Sequence, residues 1–229
     1  MDNIWDKAER LATNTVGTLL RKSLYIPYDF DHTRYDFKWE NYIFISNQFR
    51  RAHIEIVDAR ELKKIWIMHF CIFPHYDDPS PIFGFDIVCG RDKITGMFHD
   101  YSVAGASNHF MLDRFAEISK TYYPNKPREL PEWGKQIFSS NMIAAGNLDK
   151  NEFDIASEVY YNTFNYYLAN VGRNRDPNKD YSESHNRYCK YQKQNPRTPH
   201  MMHSLGVNEN LFQGYMDSVL FPERTNSNG

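Results

Sequence analysis

The stretch "KKIWIMHFCIFPHYDDPSPIFGFDIVCG", residues 63–90, holds two apolar runs separated by an eight-residue loop rich in Pro and Asp. Short apolar runs bounded by turn residues predict β-strands, and two such runs around one loop predict an antiparallel hairpin. In a hairpin that is symmetric about this loop, opposed residues have numbers that sum to about 155. This register sets His69 opposite Asp86 on one face of the sheet.

Asp86 is the one charged residue of its strand, and Phe83, Phe85 and Ile87 are close chain neighbours. An enclosed carboxylate is costly unless it is paired, hydrogen-bonded or protonated. The polar side chain on the facing strand, His69, is therefore its expected partner. The residues alone leave two interpretations open, a structural pair in the core or a pair that transfers protons near neutral pH.

Strand patterns continue on both sides of the hairpin, at residues 41–46, 50–57 and 93–102, with short connections. Consecutive strands without an intervening helix predict an antiparallel meander. Helical patterns are found at residues 3–22, 109–123, 128–140, 151–170 and 207–221. We therefore expect a single α/β domain over residues 1–229, a three-layer α/β/α sandwich with a central antiparallel sheet flanked by helices.

Two of the helical segments carry more specific expectations. In residues 151–170 the predicted apolar stripe consists of Ile155, Val159, Tyr160, Phe164, Tyr167 and Leu168. In the segment at 128–140, the part "PRELPEWG" (127–134) is bounded by prolines, and we interpret it as a rigid corner rather than a binding site.

Composition and charge exclude several classes of protein. A net charge of −2 gives no reason to expect nucleic-acid binding, and no apolar run is long enough to span a membrane. The charged N-terminus lacks the apolar core of a signal peptide, and three cysteines without a CxxC motif fit a reducing compartment. We expect a cytoplasmic protein, with a monomer as the default.

Several common cofactor and catalytic motifs are missing from the chain. It contains no GxGxxG, GxxxxGK[ST], GxSxG or HExxH sequence. A metal site built from His53, Glu55, His69 and Asp86 is disfavoured, because their spacings match no known ligand signature. We therefore expect no bound cofactor and no metal, so an enzyme of this kind must receive its reactivity from the substrate or from a protein partner.

A basic segment covers residues 173–197, which contain seven Lys and Arg but only three Asp and Glu. Its ordinary interpretation is a solvated helix face. The functional alternative is an anion site, either for ligand carboxylates or for an acidic protein.

Three stretches together resemble the ferredoxin-dependent bilin reductases. They are "MHFCIFPHYDDPSPIFGFDIV" (68–88), "RELPEWGKQIFS" (128–139) and "YCKYQKQNPRT…LG…YMDSVLF" (188–221). The resemblance begins near "NQFRRAHIEI" and runs in order to about residue 221, with the phycocyanobilin:ferredoxin oxidoreductase-like branch and its short phage-type relatives as the most similar group. It implies an α/β/α sandwich that reduces biliverdin IXα with single electrons from a [2Fe-2S] ferredoxin, without a metal or flavin of its own.

The resemblance also implies roles for individual residues. The family's essential aspartate corresponds to Asp86, and its histidine partner in the phycocyanobilin-type branch corresponds to His69. Glu55 of "HIE" matches a glutamate that assists vinyl reduction in that branch. Most four-electron members carry a second aspartate on the C-terminal segment. Counting back from Leu205-Gly206, the residue at this position here is Asn195. The candidate anchors for the bilin propionates are Arg197, Lys193 and Arg187.

The product is expected to be phycoerythrobilin, formed through 15,16-dihydrobiliverdin as in the phage-type variants. The loss of the second acid at Asn195 and the short chain favour it, whereas His69 together with Glu55 favours phycocyanobilin. An Arg that follows "IFS" in the phycocyanobilin enzyme and contacts a propionate is also lost in "SSNMIAAGN", so A-ring reduction needs another proton donor. Phycocyanobilin is the alternative product. The alternative from another class of function is a carrier protein that binds a bilin without converting it. The implied location is a cyanobacterial or phage-infected host cytosol.

Overall fold

A computed structural model describes residues 3–28 and 35–225, and in it seven strands form one antiparallel sheet in chain order. The five predicted strands are confirmed, and the first three-residue strand and the last one were not predicted. Three residues are too few to show the alternation from which strands are recognised. The strands are β1 (Leu24–Ile26), β2 (Lys38–Ile45), β3 (Phe49–Ala59), β4 (Ile65–Pro74), β5 (Ile82–Cys89), β6 (Ile94–Ser102) and β7 (Ile143–Ala145).

Helices cover both faces of this sheet, so the predicted three-layer α/β/α fold is confirmed. One face packs against the first helix and the helices that follow β6 and β7, and the other packs against the C-terminal helices. The helices are α1 (Ile4–Lys22), α2 (Arg60–Lys63), α3 (Phe110–Ser119), α4 (Glu132–Lys135), α5 (Lys150–Asn170), α6 (Ser182–Gln192), α7 (Arg197–Ser204) and α8 (Glu209–Tyr215), and α8 continues into a π-helical turn at Met216–Leu220.

Two predictions about the helices need correction. The helix predicted at 128–140 shrinks to α4, because the backbone N–H and the hydroxyl of Ser139 both donate to the buried carboxylate of Asp100 on β6. These bonds hold the chain against the sheet edge, where it cannot continue as a helix. In α5, Ile155 was wrongly placed on the buried stripe and is 51% exposed, whereas Ala156 and Val159 face the sheet.

The strand register places polar residues in one row across the sheet. Asn41 is opposite Glu55, Glu55 is opposite His69, and His69 is opposite Asp86. The predicted register of the β4–β5 hairpin is therefore confirmed. All four residues share the sheet face that meets α6, α7 and α8, because opposed residues in an antiparallel sheet project to the same side.

Within residues 3–28 and 35–225, every helix is too short or too polar to cross a lipid bilayer.

Candidate active site

Strand alternation decides what surrounds Asp86. Successive side chains of a strand point to opposite faces, so Phe83, Phe85 and Ile87 enter the core against α1 and α5 while Asp86 points the other way. The expectation that apolar neighbours enclose Asp86 is therefore wrong. Its side chain is 38% exposed, whereas that of His69 is 12% exposed.

Asp86 and His69 are joined by a short hydrogen bond of 2.5 Å between Asp86 Oδ1 and His69 Nδ1. Burial alone would lower the pKa of His69. The carboxylate of Asp86, together with the contact to Cys71, outweighs burial and holds the pKa of His69 well above its usual value. The ring is therefore an imidazolium at neutral pH, and the pair stores one proton beside an open space.

That space is a cleft of about 790 Å³ between the sheet and the C-terminal helices, within the usual size range of small-molecule sites. Asp86 and Phe98 form its floor. One wall comes from the segment around α4, and the other comes from the end of α6 and the start of α7. The further lining residues are Arg128, Glu129, Leu130, Pro131, Trp133, Phe138, Met142, Gln192, Asn195, Pro196 and Arg197.

Arg128 is a cleft residue that the sequence analysis missed. Its guanidinium lies 5.9 Å from the centre of the Phe98 ring, and Nη2 donates to the carbonyl oxygen of Thr95 at 2.6 Å. The side chain passes over Gly96 and Gly146, where added Cβ atoms would approach it to 3.7 Å and 2.6 Å. The expectation that the proline-bounded segment is not part of a binding site is therefore wrong, because it builds one wall of the cleft.

Arg197 lies on the same cleft. Burial lowers the pKa of Arg128, and the positive charge of Arg197 adds to this shift. No carboxylate among the described residues pairs with either guanidinium. Two arginines without acidic partners at one cleft favour an anionic ligand, and carboxylates suit their planar, bidentate geometry.

The other residues proposed on the C-terminal segment are divided between cleft and surface. Asn195 lines the cleft, with its amide donating to Thr198 at 3.1 Å. Lys193 is paired with Asp217 and Glu223, both at 2.8 Å, and does not line the cleft. Arg187 donates to the carbonyl oxygen of Gln136 and is likewise outside the cleft lining.

Glu55 lies in a closed network beneath α8. It is 5% exposed and accepts hydrogen bonds from Trp39 Nε1 at 2.7 Å and from the Tyr215 hydroxyl at 2.8 Å. Burial raises the pKa of Glu55, although His69 and these two donors oppose the shift. Glu55 is absent from the cleft lining, and its Oε1 is held by Trp39 and Tyr215.

His53 extends this network on the next register position of β3. Its Nε2 is 2.8 Å from Asn41 Oδ1, and Asn41 also contacts the Tyr215 hydroxyl. Burial and the nearby charges of Arg51 and His69 lower the pKa of His53 well below its usual value, so the ring is neutral. In the part of the chain that the structure describes, no three His, Cys, Asp or Glu side chains are grouped in a way that could hold a metal ion.

Comparison with known sequences identifies a family. The model of the ferredoxin-dependent bilin reductases matches residues 10–222. The phycocyanobilin:ferredoxin oxidoreductase of Prochlorococcus marinus (strain MIT 9515) is 28% identical over 172 residues, which cover 69% of this chain and 67% of the relative. The enzyme of the same name from Synechococcus sp. (strain ATCC 27144) is 36% identical over 105 residues, covering 44% of this chain and 40% of the relative.

Two solved structures share the fold. The structure of PcyX aligns with a TM-score of 0.67 at 23% identity and covers 95% of this chain and 99% of that protein. Tomato phytochromobilin synthase in complex with biliverdin aligns with a TM-score of 0.72 at 13% identity, covering 93% of this chain and 82% of that one. The predicted resemblance is confirmed over nearly the whole length, and this chain belongs to the ferredoxin-dependent bilin reductases.

Proposed function

We propose that this protein reduces biliverdin IXα with electrons from reduced ferredoxin, and that Asp86 donates protons to the bound bilin. The observation that carries the proposal is the His69–Asp86 pair, in which a buried imidazolium supports a carboxyl group that faces the cleft. A pair of this kind keeps a proton available next to a bound ligand at neutral pH. The proposal assigns electron delivery to ferredoxin and needs no cofactor bound to the chain.

The cleft suits a flat, apolar molecule that carries two carboxylates. Phe98, Trp133 and Phe138 offer aromatic surface for a tetrapyrrole. Arg128 and Arg197 are the proposed anchors for the propionates, while Asn195 faces the ligand as a neutral hydrogen-bonding group. Arg187 and Lys193, which are outside the lining, are not assigned to the bilin.

The proposed mechanism alternates single electrons and protons. A [2Fe-2S] ferredoxin transfers one electron at a time, so the bilin must pass through radical states. Each reduced double bond takes up two electrons and two protons. In the resting pair the proton is on His69, so the imidazolium first passes it to Asp86 along their hydrogen bond, and Asp86 then transfers it to the bilin. The pair takes up a further proton before each later transfer.

Phycoerythrobilin, formed through 15,16-dihydrobiliverdin, is the proposed product. The location of Glu55 supports this choice, because an acid enclosed by Trp39 and Tyr215 has no direct path to a vinyl group in the cleft. Phycocyanobilin is the competing product, and the names of the curated relatives favour it.

The experiment is anaerobic incubation of the protein with biliverdin, ferredoxin and a ferredoxin-reducing system, followed by chromatography of the bilins. We expect 15,16-dihydrobiliverdin to appear first and phycoerythrobilin to follow. Phycocyanobilin as the product would overturn the proposed regiochemistry and retain the reductase assignment. A bound but unchanged biliverdin spectrum would contradict the reductase and favour a carrier.

A further inference from the structure

The second ring nitrogen of His69 has its own partner. Nδ1 is bonded to Asp86, and Nε2 lies 3.5 Å from the sulfur of Cys71, two residues further along β4 on the same face. Among the described residues, Cys71 is the one polar group within hydrogen-bonding distance of Nε2. Cys71 is itself buried, so solvent does not reach the contact between its sulfur and Nε2.

A chain of hydrogen bonds leads from this sulfur back to the cleft. Cys71 Sγ is 3.7 Å from the hydroxyl of Tyr188, and Gln192 Nε2 donates to that hydroxyl at 2.7 Å. Because Tyr188 accepts from Gln192, its own proton is available to the sulfur. Gln192 and Asp86 both line the cleft, so the chain begins and ends at the proposed substrate site.

The two protonation states of His69 need different partners at Nε2. When Nδ1 donates to Asp86, a neutral ring has an unprotonated Nε2, which must accept a hydrogen bond. The imidazolium has a proton on Nε2, as does the neutral ring that has passed its Nδ1 proton to Asp86, and this proton must be donated. A thiol can do either by rotating its S–H bond, whereas an aliphatic side chain would leave a buried ring nitrogen unpaired in both states.

Several other titratable groups face His69. Asp86 approaches from β5, Glu55 and His53 from β3, and the Tyr188 hydroxyl from α6 beyond Cys71. From the C-terminal turn, the ring of Phe221 packs edge-on at 5.4 Å and contributes no charge. Cys71 is therefore the group whose removal changes the hydrogen bonding of Nε2 without changing a formal charge around the ring.

We infer that Cys71 is a positioning residue for His69, whose thiol pairs with Nε2 in both protonation states and so lets the buried ring release and regain a proton. The inference deepens the proposed function, on which it rests for its role in turnover. Tyr188 and Gln192 orient the sulfur, and Asp86 remains the residue that donates protons to the bilin.

The test compares Cys71→Val with Cys71→Ser, and uses Cys89→Val as the control because Cys89 is also a buried strand cysteine but lies on the opposite sheet face. The pKa of His69 is measured without bilin by ¹⁵N NMR titration, with His69→Gln used to assign the signal. We expect the valine variant to lower the pKa of His69 by about one unit or more, as for loss of a hydrogen bond to a charged group. The serine variant and the control should remain close to wild type.

A second readout connects the inference to turnover. The alkaline limb of the pH–rate profile should move downward in Cys71→Val and return in Cys71→Ser. If valine is not accommodated, Cys71→Ala removes the sulfur without adding bulk and should give the same shift. An unchanged His69 titration in a folded valine or alanine variant would overturn the inference. Failure of wild-type turnover would instead refute the proposed function, and the titration in bilin-free protein would still decide the role of Cys71.

Discussion

At the scale of single residues, Asp86 and His69 form an asymmetric pair. Asp86 faces the cleft, while His69 is held beneath it by hydrogen bonds to Asp86 and Cys71. The exposed partner is therefore suited to meet a substrate, and the enclosed one to hold the proton that the pair shares. An aspartate alone at the same position would have no neighbouring group from which to receive this proton.

The pair also makes the stability of the fold depend on pH. The pKa of His69 in the folded state lies above its unfolded value of about 6.5, so its stabilising contribution is complete below that value and is lost as pH rises through the folded pKa. We expect the difference in unfolding free energy between wild type and His69→Gln to be largest near pH 5 to 6.5 and to shrink at alkaline pH. Urea unfolding across this range measures it, and a difference that grows with pH would contradict the assignment.

Arg128 provides a prediction about substrate binding. Replacing it by Gln removes a charged donor from the cleft, so KM for biliverdin should rise about tenfold, with kcat changed far less. Arg173→Gln, an exposed arginine of the same basic segment as Arg197, is the matched control. Steady-state kinetics test this, and equal KM values for the two variants would remove Arg128 from the site.

Some contacts of the site could be predicted from the sequence, and others could not. The pairing of His69 with Asp86 follows from loop symmetry and strand alternation, which are local properties of the sequence. The enclosure of Glu55 depends on Tyr215, which lies 160 positions away in α8, and no local pattern indicates such a contact. Arg128 was missed because the sequence of a proline-bounded segment does not indicate the surface against which the segment packs.

At the scale of secondary structure, the five long strands and the helices with a clear apolar period were predicted, whereas the three-residue strands were not. Strands β2 to β6 and helices α1, α3 and α5 carry enough residues to show a period of two or of 3.6. The three-residue strands β1 and β7 depend on pairing with their neighbours. The short helix α4 ends at Lys135, and four residues later Ser139 donates to Asp100, which is a tertiary contact between β6 and the segment that forms the cleft wall.

Asp100 gives a prediction about this contact. Burial raises the pKa of Asp100 to about 6 although Ser139 and Ser102 donate to it. The folded state therefore binds a proton more tightly than the unfolded state, whose carboxyl pKa is near 4, and stability falls as pH rises between these values. Relative to Asp100→Asn, wild type should lose up to about 3 kcal/mol of unfolding free energy from pH 4 to pH 7.

The measurement is denaturant unfolding of both proteins over that pH range. The matched control is Asp113→Asn, an acid on the exposed side of α3. If wild type instead becomes more stable relative to Asp100→Asn as pH rises over this range, the folded state prefers the ionised carboxylate, and the prediction is contradicted.

At the scale of the whole molecule, charge is distributed unevenly. The chain carries a net charge of −2, yet the layer that holds the cleft contains the basic segment 173–197. Arg175 and Lys193 in that segment are neutralised by ion pairs, whereas Arg173, Lys179, Arg187 and Lys190 are exposed and have no carboxylate partner among the described residues. This surface lies beside the cleft and suits an acidic electron donor.

Docking of ferredoxin should therefore depend on salt. Lys190→Glu in α6 is expected to raise KM for ferredoxin several-fold at low ionic strength, and the effect should diminish at high salt because exposed charges are screened. Lys120→Glu, after α3 in the other helical layer, is the control. The kinetics are measured at constant biliverdin, and equal effects of the two reversals would place the docking surface elsewhere.

The central claim is that Asp86 donates protons to a bilin that ferredoxin reduces one electron at a time. Its most direct test is anaerobic reduction of the biliverdin complex of Asp86→Asn, followed by absorption and electron paramagnetic resonance. We expect biliverdin to bind, and the first electron to produce a bilin radical that persists while wild type proceeds to product. Product formation by Asp86→Asn at the wild-type rate, without an accumulated radical, would contradict the account.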